Sequence, residues 1–173
     1  MWRILAIACG VIGCLATVRA ESIAEPIIHA FAGTERFTIL RAVDGALRRL
    51  GRPECQRLFT DFTDLEGRTL AENLTTLGKT PIEFFNELYF TEDRVTPCCL
   101  RRGTLAFTAP GQRVIRVCPR FSSVSLENAA FGDATLIHEM LHALGLGENP
   151  PKSSDITRQV LMRCSQSRTS LAP

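Results

Sequence analysis

The stretch Thr135-Leu136-Ile137-His138-Glu139-Met140-Leu141-His142-Ala143-Leu144-Gly145 constrains this chain more than any other. It runs from Thr135 to Leu144 without proline or glycine and is rich in good helix formers, with Gly145 as a stop. Ile137, Met140, Leu141 and Leu144 fall at i, i+3, i+4 and i+7, so they form one apolar stripe that must be packed against a core. His138 and His142 are four residues apart and therefore lie one above the other on a different face. Glu139 sits beside them. Packing the stripe anchors the helix, while both imidazoles aim at a common point with the carboxylate beside them.

Those groups have a shared chemistry. Two neutral imidazoles one helical turn apart offer two ligand nitrogens to a single point, a donor pair that suits Zn2+. A neighbouring carboxylate is placed to take a proton from a water whose pKa such an ion lowers toward about 7. Two of the three histidines in the chain belong to the motif, which argues for a purpose beyond surface polarity. The third, His29, reads as a surface or linker residue. The expectation is therefore that His138 and His142 are metal ligands and Glu139 is a general base. Glu148, three residues past Gly145, is the first candidate for a third ligand. The glycine lets the chain turn back, and a carboxylate is an acceptable zinc ligand.

The pattern His138-Glu139-x-x-His142-x-x-Gly145-x-x-Glu148 resembles the metzincin zinc peptidases. The last position there is usually His and occasionally Asp, so Glu148 departs from that pattern. Val114-Ile115-Arg116-Val117-Cys118-Pro119-Arg120-Phe121, a loop, and then His138-Glu139-Met140-Leu141-His142 is similar to the deuterolysin-type aspzincins. Their third ligand is an Asp in a Gly-Thr-x-Asp segment. Asp155 is the nearest equivalent, which makes it the alternative third ligand by that resemblance; it lacks the Gly-Thr, and Ser153-Ser154-Asp155 also reads as a helix cap. Together the two resemblances cover roughly residues 113–155. They imply a zincin-type peptidase whose substrate is added to an edge strand above the active helix. Arg113–Cys118 or Thr104–Thr108 would be that strand. They also nominate Met162 as a methionine turn and Tyr89 as a carbonyl-polarising group. Both residues read more simply as helix and core positions.

The N-terminus sets the compartment. Met1-Trp2-Arg3 is short and positive, Ile4 to Val18 is apolar and uncharged, and Val18-Arg19-Ala20 suits signal peptidase. Residues 1–20 are expected to be a secretory signal and 21–173 a single domain. The apolar run is too short to span a membrane. Val11-Ile12-Gly13-Cys14 gives a second possibility, a lipid anchor at Cys14. Export favours disulfides among Cys55, Cys98, Cys99, Cys118 and Cys164. Adjacent Cys98 and Cys99 are poorly placed to bond to each other. The expected pairs are Cys118 with Cys98 or Cys99, and Cys55 with Cys164, leaving one thiol over.

The remaining pattern is α+β: a mostly helical N-terminal half, a β-hairpin, then the zincin-like helix. Helices are expected over Thr34–Leu50, Arg68–Leu77 and Pro81–Phe90, the last opened by a Thr80/Glu83 capping box, and from about Ser153. Cys55–Phe62 fits a short helix or an extended piece. Glu21–Gly33 reads as a loosely held entry segment and Pro119–Gly132 as a loop. Thr104–Thr108 and Arg113–Cys118 flank the turn Ala109-Pro110-Gly111-Gln112 as a hairpin. Asp61 and Asp64 read as a polar turn, and Asn73-Leu74-Thr75 is a glycosylation sequon by pattern. A net charge of +2 gives no footprint for nucleic acid, so the pairs Arg48-Arg49 and Arg101-Arg102 read as solvated surface. The expected function is that of a secreted or periplasmic zinc peptidase, a monomer acting on a peptide or protein substrate. Its rivals are a zinc hydrolase of another amide, such as cell-wall peptide, and an exported zinc-binding protein without catalysis.

Overall fold

Residues 25–165 are described by the computed structural model. The expected signal over residues 1–20, with Cys14, lies outside them. The described chain opens with β1 (Ile27–His29) and the helix α1 (Gly33–Leu50). On α1, Ile39, Ala42, Val43, Ala46 and Leu50 recur at helical spacing and are all buried. Each large side chain in such a stripe contributes about 1.5–3 kcal/mol when fully buried. The stretch Cys55–Phe62, expected as a short helix or an extended piece, carries the end of α2 (Pro53–Gln56) and all of α3 (Leu58–Asp61), with Phe62 extended. Then come α4 (Leu70–Leu77) and α5 (Pro81–Phe85), each opened by a complete capping box, Thr69 with Glu72 and Thr80 with Glu83. The order continues with β2 (Tyr89–Glu92), α6 (Pro97–Leu100), β3 (Ala106–Phe107) and β4 (Val114–Val117). It ends with α7 (Arg120–Glu127), α8 (Ala129–Ala143) and α9 (Ser153–Cys164).

The fold is mixed α+β. Its four strands are ordered β1-β2-β4-β3, with β1, β2 and β4 parallel and β3 antiparallel to β4. The β3–β4 pair is the hairpin that the alternating pattern predicts. Three expectations are corrected. The helix from Pro81 stops at Phe85, and Tyr89–Glu92 is a strand. Aromatic and β-branched residues there favour a pleated slot, and Phe90 is fully buried between β1 and β4. The entry segment is tied down as β1 through the same strand. Finally, Pro119–Gly132 is not a loop but contains α7 and the start of α8. Phe121, Val124 and Ser125 give α7 an inner face, which its exposed polar positions obscured in the sequence.

Helix α8 lies at the centre, packed by α1, α7, α9 and β3. Small residues let the neighbouring helices approach. A Cβ on Gly45 of α1 would sit 2.4 Å from the Asp133 carboxyl group of α8, and one on Gly132 would sit 2.2 Å from Ser125 Oγ of α7. Arg49 donates from Nε to Asp133 Oδ2 at 2.8 Å and from Nη1 to the Cys164 carbonyl at 2.6 Å, joining α1, α8 and α9. Disulfides Cys55–Cys164 and Cys99–Cys118 fasten α2 to α9 and α6 to the end of β4. Cys98 is the free thiol among the described cysteines. No helix among the described residues is long and apolar enough to cross a membrane.

Candidate metal centre

Asn128 starts α8 by accepting the Phe131 N–H at 3.1 Å. Every residue from Gly132 to Ala143 is buried, so the helix carries its polar groups inward rather than to the surface. His138 and His142 place their Nε2 atoms 3.0 Å apart. Their other nitrogens decide what that approach means. His142 Nδ1 is 2.7 Å from the Leu146 carbonyl oxygen, which only accepts. In the neutral ring the proton is therefore on Nδ1, and Nε2 carries the lone pair. His138 Nδ1 is 3.0 Å from Thr157 Oγ1 on α9, a hydroxyl able to accept the equivalent proton. In the tautomer where it does, two lone pairs face each other, an arrangement that a cation between them stabilises and that two zinc–nitrogen bonds of about 2.0–2.1 Å span; in the other tautomer the same 3.0 Å is an N–H···N hydrogen bond.

Glu148 Oε1 lies 3.7 Å from His138 Nε2 and 3.5 Å from His142 Nε2. The three side chains converge closely enough to hold one metal ion. Burial, with the neighbouring His142 charge, lowers the His138 pKa to about 3. His138 is thus neutral, the ligating form, and its contact with Glu148 is not an ion pair. Glu139 is buried beside them. Burial first, then the Glu148 charge, raises its pKa to about 8, against the pull of a backbone hydrogen bond from Thr108. A divalent cation at the histidines would act in the opposite sense, because positive charge favours the carboxylate.

The return of the chain to Glu148 follows from how α8 ends. Gly145 N–H donates to the His142 carbonyl at 2.8 Å, and Leu146 N–H to the Leu141 carbonyl at 3.1 Å. This pair of bonds is a Schellman ending, and Gly145 occupies its left-handed position with φ +111°. The same turn supplies the carbonyl that orients His142. A distant segment holds the turn. Asn73 Nδ2 donates to the Leu144 carbonyl at 2.9 Å and to Asp64 Oδ2 at 3.0 Å. Asp64 Oδ1 accepts the Glu66 and Arg68 N–H groups, each at 2.9 Å. These bonds, that of Asn73 foremost, lower its pKa to about 2. Leu65 covers Gly147, where a Cβ would meet it at 2.4 Å. Asp64 is therefore a turn residue. The Asn73 nitrogen that a glycan would need is already committed to two hydrogen bonds.

The three groups line a cleft of about 550 Å³. Thr104–Thr108 form one wall and Thr157 another side, with Arg101 and Arg102 at the rim. No family model matches this chain, and neither a curated protein nor a solved structure does. The site therefore has to be read from its own geometry.

The remaining candidates fall elsewhere. Asp155 begins α9 away from the histidines and pairs with Arg158 at 2.8 Å. Tyr89 stacks on His29 with ring centroids 5.7 Å apart, and neither lines the cleft. Met162 is exposed on α9. Of the two proposed substrate strands, Arg113–Cys118 is excluded because β4 is paired on both sides; among the described residues β3 is paired on one side only. Thr157 escaped the sequence reading because nothing local marks it, while Asn73 was visible only as a sequon and Thr108 only as a strand end, not as groups that support the site. Arg101 and Arg102 were visible as a pair, but their place at the cleft was not.

Proposed function

We propose that this chain is a secreted or periplasmic zinc-dependent peptidase, with His138, His142 and Glu148 holding zinc and Glu139 as general base. The observation that carries this reading is the facing pair of imidazole Nε2 atoms, 3.0 Å apart, with Glu148 beside them. Zinc bound there supplies Lewis acidity, lowering the pKa of water toward about 7 and polarising a carbonyl. His138 and His142 contribute rigid neutral donors, aimed from behind by Thr157 and by the Leu146 carbonyl. Glu139 accepts the proton of the attacking water on its carboxylate and delivers it to the departing amine. The side of β3 that is unpaired among the described residues offers backbone partners to an extended chain, which favours a peptide over other amides. The two disulfides suit an oxidising compartment, as the signal-like N-terminus does.

The test combines metal analysis of the purified protein with casein hydrolysis. The expected result is one zinc per chain and activity that disappears in Glu139→Gln while zinc is retained. A parent protein that binds no zinc, or a Glu139→Gln variant with full activity, overturns the reading.

A further inference from the structure

The rim of the cleft carries two positive charges that the proposed chemistry does not use. Arg101 and Arg102 are exposed and line the cleft just before β3. Among the described residues neither has an ion-pair partner, and of the arginines without one these two line the cleft. The acidic groups across the cleft, Glu139 and Glu148, are committed to proton transfer and metal binding in the proposed function. They therefore leave the rim uncompensated.

The arginine segment is also fixed in place. The Cys99–Cys118 disulfide ties its start to the end of β4. At its far side, Cys118 N–H donates to the Leu105 carbonyl at 2.8 Å. Gly103, at φ +104°, turns the chain from the arginines into the strand wall. The backbone that carries both arginines is thus held at the approach to β3, which is paired on one side only among the described residues. An extended peptide laid along the other side passes them. Arginine offers a planar fork of donors that matches a carboxylate, and an anchored backbone reduces the ordering cost of pairing.

We infer that Arg101 and Arg102 make this cleft select acidic peptides, pairing with an Asp or Glu side chain of a substrate extended along β3. The inference rests on the peptidase reading of the same cleft.

The test uses the zinc-loaded Glu139→Gln protein and short fluorescein-labelled, alanine-rich peptides in which one Glu or one Lys is walked through the sequence. Binding is read by fluorescence anisotropy at low salt. At one or more positions the Glu peptide should bind about tenfold more tightly than its Lys counterpart. In Arg101→Ala/Arg102→Ala the gap should close to within about twofold, and in Arg101→Glu/Arg102→Glu it should invert. Inversion is a result that a merely structural role would not produce. Absence of binding, equal binding at every position, or a preference that survives both double variants overturns the inference. Parallel incubation of the peptides with the parent protein separates the two claims. Cleavage without charge preference removes acidic selection and leaves the peptidase. Charge-selective binding with no cleavage of any peptide removes the peptidase and leaves an acid-selective cleft.

Discussion

In its N-terminal half, α8 buries Asp133 against Arg49, and in its C-terminal half it buries His138, Glu139 and His142 to the same depth. Exposure is 7% for Asp133 and 5–6% for the other three, so solvent access does not distinguish the two regions. Satisfaction does. Asp133 has a guanidinium at 2.8 Å, and that arginine has a further acceptor in the Cys164 carbonyl. Burial raises the Asp133 pKa, but Arg49 opposes the shift and the pair is complete within the protein. At the other end, two imidazole nitrogens face each other and Glu139 has no cationic partner among the described residues. A carboxylate buried without a countercharge is costly, so the second region is suited to a cation in a way that the first is not. The first region is architecture, and the second has the form of a site.

Several substitutions would break or sharpen that contrast. The largest effect is expected for Glu139→Gln, which removes the proposed base. Peptide hydrolysis should fall by about 10²–10⁴-fold, with zinc content unchanged by atomic absorption. Next is Asp133→Ala, which leaves Arg49 buried and uncompensated. Denaturant unfolding should show a loss of about 3–5 kcal/mol, with zinc affinity unaltered. An equal loss of zinc affinity would mean that the two regions are not independent.

A smaller effect concerns pH in the presence of a chelator. Glu139 is raised from 4.5 to about 8, so its native form binds a proton that the unfolded chain has released over that range. Its contribution is lost as pH rises toward 8. His138 is lowered from 6.5 to about 3, so its contribution is lost as pH falls below 6.5. The two slopes oppose each other between 4.5 and 6.5. Stability should therefore be nearly level there, fall below 4.5, and fall from 6.5 to 8 by on the order of 2 kcal/mol. In Glu139→Gln the alkaline decline should vanish and the acid decline should begin near 6.5. Urea midpoints across pH measure both limbs. The smallest effect is expected for Thr157→Val, which leaves His138 without its orienting hydroxyl. Zinc affinity should drop about 10–100-fold by competition with a chromogenic chelator, with the midpoint in chelator little changed.

Much of this was legible in the sequence where the signal is local. The α8 helix and its histidine face follow from spacing, and the Thr80/Glu83 cap from residue type. The β3–β4 hairpin follows from alternation around a Pro-Gly turn. Export favours disulfides and makes Cys55 with Cys164 an expected pair, although spacing alone does not fix the connectivity. Tyr89–Glu92 was misread because its aromatic spacing also fits a helix, and only pairing with β1 and β4 makes it a strand. The polar residues of α7 hid a helix whose inner face is narrow.

By itself, the sequence determined that His138, Glu139 and His142 share one buried helix, because i,i+4 geometry and an apolar stripe act within a few residues. Only the tertiary structure decided that Glu148, rather than Asp155, stands beside the two histidines. That choice depends on the path of the chain after Gly145, which Asn73 and Asp64 hold from 71 residues away in the case of the Asn73–Leu144 bond. It likewise decided that Arg101 and Arg102 border a cleft instead of open solvent, since their position is set by Cys118 across a disulfide. Periodicity is written in neighbours, whereas the meeting of distant segments is settled by what the core can bury.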